Sequence, residues 1–527
     1  MSHLLLTGAT GLLGGYLLSD LLDQGIPVAC LVRRTGKSLP RHRVDQLLRR
    51  FDAVRGYLLP RPVVIEGDLN RPGLGVDDAE QAWIAEHCSG VIHCAASLEF
   101  YANPKTGEPY RTNVDSVRLF IEFARQIGIK HVHYVSTAYV CGNRSGTIWE
   151  SDLNAGQEFG NDYERSKFTA ETEVRNANGF TTTTVYRPSI IVGDSRSSYT
   201  STFQGFYAPL QAGYALASRH RFRATEGVPF LGQLGLAGNE GKNFVPVDWV
   251  SAVMTQIVSQ PKCHGRTYHL TNPVPTSTAD IDAALDEAIS TCEFARNAGA
   301  SGADANARQP LTSRSSEEEL WFQDQMATYR NYLRDDPKFD CRNVLEVAPS
   351  MPCPIVDRSA MVKLAKWAIE NRFGLPKPRI TAPYFDVDQH LRSHLSERVF
   401  SQRGTHSAPV DLLLAICITG SGGGAWTLAL RDDRVQSVEP GLDSKADVQC
   451  RVNIQTLAEL AAGTRTFSEV MYAGRLLWEG RRAPKTVAEE MKFLGIIAPL
   501  FQSQIFAEKT VHNNDMNSTK LPSVGAG

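Results

Sequence analysis

Short apolar runs alternate with stretches of helical spacing from residue 1 to about 270. HLLLTG, PVACLVRR, RPVVIEGDL, GVIHCAAS, KHVHYVSTAYV and TTTVYRPSIIV predict strands. Between the first two, Leu12, Leu13, Leu17, Leu18, Leu21 and Leu22 recur as one face of a helix. Strand followed by helix, repeated, is parallel βαβ construction, so the expected fold class is α/β: a doubly wound Rossmann sheet with helices on both faces.

The rhythm then changes. Residues 296–318, RNAGASGADANARQPLTSRSSEE, carry no apolar periodicity and read as a mobile insertion. MVKLAKWAIENRF returns to helical spacing, and GLPKPRITAP, residues 374–383, reads as a linker. The first domain, with its substrate lobe, is therefore placed at 1–380. Beyond it Trp426, Leu428 and Leu430 alternate, as do Val448, Cys450 and Val452, then Leu476 and Trp478, with helical IQTLAELAAG between them. A small α+β domain is expected over 384–510, with Trp426 and Trp478 in its core, and a disordered tail over 511–527.

A chain of 527 residues supports two cores. Its formal charge of -2, with acids and bases interspersed, gives no footprint for nucleic acid. No apolar run approaches the roughly 20 residues of a membrane span, and no leader pattern opens the chain, so a cytoplasmic protein is expected. Ten cysteines without a C-x-x-C pair read as reduced structural thiols, and no metal is expected. His93, His131 and His133 lie on strands without ligand spacing. GSGGGAW lacks the Gly-Lys-Ser/Thr of a phosphate loop and reads as a hairpin turn.

The chemistry concentrates in three places. In LLLTGATGLLGG, Gly8, Gly11 and Gly14 sit directly after a strand and before a helix. There the backbone can approach a pyrophosphate, and the helix start offers free N–H groups. The next strand ends in Arg33 and Arg34 rather than the acid that binds the ribose of NADH, which points to NADPH. In YERSK, Tyr163 and Lys167 share a helix face, where an ammonium would lower the phenol's pKa and let it exchange a proton with a carbonyl oxygen. Upstream, Ser136 and Thr137 end a strand and supply hydroxyls for the same oxygen.

This order of elements resembles an extended short-chain dehydrogenase/reductase. TGATGLLG, with Thr7, Thr10, Leu12 and Leu13 around the glycines, is similar to that family's cofactor turn. Asp68 and Leu69 resemble its adenine-contacting turn, and HCAA, with Cys94, Ala95 and Ala96, its fourth-strand segment. Asn113 resembles the mid-helix Asn, Thr137 the catalytic hydroxyl, and Tyr163 with Lys167 the proton-relay pair. VYRPSIIVGDSRS, carrying Arg187, Pro188, Ser189 and Ile190, together with NFVPVDWV, resembles the thioester reductase and fatty acyl reductase branch. The C-terminal stretch 423–480 is similar in pattern to the sterol-carrier-protein-2 type fold, which implies an apolar tunnel for lipid.

The resemblance implies an NAD(P)H-dependent reductase of a lipophilic carbonyl compound or acyl thioester, in lipid or secondary-metabolite biosynthesis. Thr137, Tyr163 and Lys167 are its catalytic residues, and NADPH suits its cofactor site better than NADH. A ketone or quinone-type tailoring reductase, or a non-catalytic lipid-binding scaffold that carries a cofactor, stays open. So does assembly into a homo-oligomer.

Overall fold

The computed structural model describes residues 2–36, 38–220, 235–298, 326–332, 334–374, 386–393, 411–420, 423–432, 434–461, 465, 470, 475–483 and 498–501. The expected insertion from 299 onward, the linker from 375 to 383 and the tail 511–527 lie outside these residues. The chain forms two compact units, 1–40 with 61–377 and 41–60 with 378–527.

Among the described residues the first unit contains eleven strands up to residue 270: β1 His3–Thr7, β2 Val28–Val32, β3 Val63–Glu66, β4 Cys88–His93, β5 His131–Val135, β6 Thr147–Ile148, β7 Thr182–Pro188, β8 Ile190–Val192, β9 Gly241–Lys242, β10 Phe244–Pro246 and β11 Thr267–Leu270. Seven of them make one sheet in the order β11-β7-β5-β4-β1-β2-β3, with every pairing parallel. This is the doubly wound arrangement. The order reverses between β1 and β4, where such sheets open a crevice beyond their carboxyl ends. β2, Val-Ala-Cys-Leu-Val, is buried at every position, as a strand covered on both faces must be.

The helix α1, Leu12–Asp23, follows β1 directly, and its capping residue Gly11 makes no side-chain cap bond. Of the later helices, Asp162–Asn176 bears YERSK, and the Asn161 side chain caps it by accepting from the Glu164 N–H at 2.9 Å. The run TTTVYRPSIIV does not stay one strand. Pro188 closes β7 in the main sheet, and β8 leaves it to pair with β10. A proline has no N–H to continue a ladder, so the chain turns into the substrate lobe at Ser189.

The second unit carries a five-stranded sheet built from Leu412–Thr419, Gly424–Arg431, Arg434–Pro440, Val448–Asn453 and Leu476–Glu479. The first two strands pair antiparallel, as the hairpin reading of GSGGGAW requires. Trp426 and Trp478 belong to the core of this unit, with Leu414, Ile416 and Leu457. Among the described residues no helix is long and apolar enough to cross a membrane.

Candidate active site

The glycines are demanded by space. Gly8 holds φ +74°, and a Cβ there would lie 2.6 Å from the Ala95 nitrogen. A Cβ on Gly14 would lie 2.1 Å from the Gly8 carbonyl oxygen. α1 thus packs onto the end of β1 as only glycine permits, and its capping residue Gly11 offers no side-chain acceptor to the first N–H groups.

A cavity of about 370 Å³ opens over this turn. Gly8, Gly11, Leu12, Leu13, Gly14, Cys94, Ala96, Ser136, Thr137, Tyr163, Lys167, Pro188, Ser189 and Ile190 all line it. Its other side is apolar, formed by Leu98, Phe100, Phe206, Pro209, Phe244, Ile281 and Met326 with Tyr139, Tyr329 and Tyr332. The polar turn and the apolar wall meet at Tyr163.

Around Tyr163 the hydroxyls converge. Thr137 caps the short turn Ala138–Cys141, and its Oγ1 lies 3.4 Å from the Pro188 carbonyl oxygen. The same hydroxyl bonds the Tyr163 side chain. Burial pushes the phenol up to about 12, and the bond to Thr137 opposes that rise. The protonated phenol is a proton donor at neutral pH.

Lys167 does not act on the phenol as its spacing suggests. Its Nζ reaches past Tyr163 to the end of β5, donating to the Val135 carbonyl at 2.7 Å and the Tyr134 hydroxyl at 3.0 Å. The side chain is long enough to cross the helix–sheet interface, so a shared helix face does not bring the two polar ends together. Burial lowers Lys167 to about 8 from an ordinary 10.5. Between those values the unfolded chain holds more protons than the folded one, so stability rises with pH across that window. Lys167→Met removes this dependence: the urea-unfolding free energy of the wild type, relative to the variant, should climb by up to about 3 kcal/mol between pH 8 and 10.5.

Other expected site residues stand off the cavity. Arg187 is fully buried behind it, its guanidinium on Glu171 at 2.7 Å and near His269 at 3.2 Å. The expected cofactor contact at Arg187 is not among the residues that line the cavity, and its guanidinium is held instead by Glu171. Ser136 lines the cavity, and its hydroxyl donates to Glu171 at 2.6 Å. Asn113 sits in a π-turn, Arg111–Asp115, and bonds Ser97 and Ser166. The Ser166 hydroxyl donates to the Tyr163 carbonyl oxygen, so Asn113 braces the helix that bears Tyr163.

Thr7 Oγ1 lies 3.2 Å from His93 Nδ1, and burial holds His93 neutral, at about 3. Asp68 accepts from the Asn70 N–H, and Leu69 packs on the sheet core. Thr10 and Ala95 flank the glycine turn without lining the cavity. Arg34 is exposed and forks onto Glu66 with two bonds of 2.8 Å, while Arg33 stands beside it at the end of β2. No cluster of metal-ligating side chains occurs among the described residues.

The cavity fits a dinucleotide. It has a glycine cradle that any Cβ would fill, an uncapped helix start for phosphate, and the Ser189 hydroxyl, buried without a partner among the described residues. Sequence reasoning missed Tyr139, Tyr332, Lys242 and Asp336. Tyr139 follows Thr137 by two residues and Lys242 directly precedes NFVPVDWV, while Tyr332 and Asp336 come from a distant segment with no motif of its own.

The family model described as "Male sterility protein" matches residues 6–254. The chain is 29% identical over 291 residues to "Nonribosomal peptide synthetase asaC" of Aspergillus flavus, covering 53% of this chain and 27% of that protein. It is 27% identical over 405 residues to "Aldehyde reductase lnaA" of the same organism, covering 71% and 36%. With "Fatty acyl-CoA reductase 1" of Pongo abelii it shares 33% identity over 152 residues, covering 27% and 29%. The chain thus spans about a quarter to a third of the length of these relatives. Among solved structures, the terminal R domain from the myxalamid PKS-NRPS biosynthetic pathway aligns with a TM-score of 0.54 at 23% identity, covering 72% of this chain and 92% of that one.

Proposed function

We propose that this chain, whose residues 6–254 match the family model described as "Male sterility protein", is an NADPH-dependent reductase that converts a lipophilic acyl thioester to an aldehyde and a free thiol. The observation that carries the reading is the meeting of Thr137 and Tyr163 hydroxyls with a glycine cradle on one side and an apolar wall on the other. The names of the relatives, peptide synthetase, aldehyde reductase and acyl-CoA reductase, support the substrate class.

In this reading Gly8, Gly11 and Gly14 hold the pyrophosphate, and Lys167 holds the ribose. The bound nicotinamide supplies hydride. Thr137 Oγ1 and Tyr163 Oη bind the thioester carbonyl oxygen, and Tyr163 Oη yields its proton to that oxygen as charge gathers there. Lys167, charged below about pH 8, keeps positive potential under the site. Phe100, Phe206 and Phe244 exclude water and receive the acyl chain. The experiment is a paired assay of purified chain with octanoyl-pantetheine: one thiol should appear for each NADPH first consumed, and NADPH loss without thiol would refute the thioester assignment.

The preference for NADPH rests on charge. Two arginines and Glu66 leave a net positive edge beside β2, and no acid ends that strand. Replacing Arg33 with Asp should shift the NADPH-to-NADH Kd ratio by about tenfold or more, since a charge reversal near a phosphate is worth upwards of about 1.4 kcal/mol. Titration of each cofactor by fluorescence reads this directly, and an unchanged ratio removes Arg33 from cofactor choice.

A further inference from the structure

Lys242 lines the same cavity and belongs to a buried ion pair that the reaction does not use. Lys242 Nζ, on β9, donates to Asp336 Oδ1 at 2.5 Å, to the Tyr332 carbonyl at 2.9 Å and to the Arg334 carbonyl at 3.1 Å. All three ammonium donors are spent on one segment. Asp336 Oδ2 in turn accepts from the Tyr139 hydroxyl and the Asn243 N–H, both at 2.8 Å. Tyr139 belongs to the turn that Thr137 caps, so the pair ties the distant segment to the catalytic turn.

The segment also reaches the catalytic helix. The Tyr332 hydroxyl accepts from Asn161 Nδ2 at 3.1 Å, and Asn161 is the cap of the helix that carries Tyr163. Phe100 stands edge-on to Tyr163 at 6.1 Å and to Tyr329 at 5.3 Å, and lies tilted on Tyr332 at 5.3 Å. Phe100 thus stands between the Tyr163 phenol and two rings of the tethered segment, and all four line the same cavity. In the thioester reading, a substituent next to a carbonyl held at Tyr163 would face Phe100.

We propose that Lys242 and Asp336 are positioning residues that fasten Tyr329 and Tyr332 beside Tyr163 and thereby select acyl groups unbranched next to the carbonyl. The inference rests on the thioester reading. Loss of the ammonium frees Tyr332 and Arg334, lets the aromatic wall retreat, and admits the branch.

The test compares octanoyl- and 2-methyloctanoyl-pantetheine with the wild type, Lys242→Met and Tyr139→Phe. Lys242→Met should lower the straight-over-branched ratio of kcat/KM by about tenfold, the scale on which packing against one methyl discriminates. The NADPH Kd should not move. Tyr139→Phe keeps the ion pair and the fold and removes one bond to Asp336, so it should move the ratio the same way by about two- to threefold. A merely structural role predicts lower activity on both thioesters with an unchanged ratio, and that result overturns the proposal.

Hydrogen–deuterium exchange keeps this separate from the thioester reading. In Tyr139→Phe the Asn243 and Asp336 amides should exchange faster while β5 stays protected. If the wild type cleaves neither thioester, the thioester reading falls. Unchanged exchange at those amides overturns the positioning claim by itself.

Discussion

Tyr163→Phe should lower kcat for thioester reduction by about a thousandfold, within the span that a positioned acid–base group contributes. The substitution removes one oxygen and keeps the ring, so the edge contact with Phe100 survives and the cavity keeps its shape. Thr137 stays anchored by the Tyr139 N–H at 3.3 Å and can still hold the substrate oxygen. KM and the NADPH Kd should therefore change little. The lost quantity is the proton delivered as charge develops, an interaction made only in the transition state. Burst kinetics in a single turnover would show the loss in the chemical step. A scaffold that merely carries a cofactor would be indifferent to this change.

The second large effect concerns stability. Arg187→Met should cost about 3–5 kcal/mol in urea unfolding, because it strands Glu171 as a buried charge. Burial alone would raise Glu171, but Arg187 and Arg175 outweigh it and hold the carboxyl below its ordinary value. Arg175, at 2.7 Å, and the Ser136 hydroxyl remain as partners, which places the cost towards the lower end. The double variant Arg187→Met with Glu171→Gln should recover part of the loss, since the uncompensated charge is then gone. Were Arg187 a cofactor contact, its replacement would instead weaken NADPH binding and leave unfolding unchanged.

Arg187 also shows how far sequence carries and where it stops. The glycine turn, the hydroxyl at 137 and the Tyr163–Lys167 spacing are local signals, each readable within a dozen residues, and all line one cavity. Arg187 sits between two of the same motif's residues, Tyr186 and Pro188, yet its side chain is held by Glu171 and does not line the cavity. Its partner Glu171 lies on the catalytic helix, outside any motif. Lys167 was placed on the right helix face, but how far its side chain reaches depends on Tyr134 and Val135, which only the packed sheet supplies. The aromatic wall was not legible at all. Tyr329 and Tyr332 reach Phe100 across more than two hundred residues, and no spacing rule spans that distance.

The destination of the hydride defines the reaction. NADPH deuterated at the transferable position, incubated with octanoyl-pantetheine and the full chain, should place deuterium on the former carbonyl carbon of octanal or its alcohol, with thiol released in step. Intact NADPH binding with no label in any octanoyl product and no free thiol would contradict it.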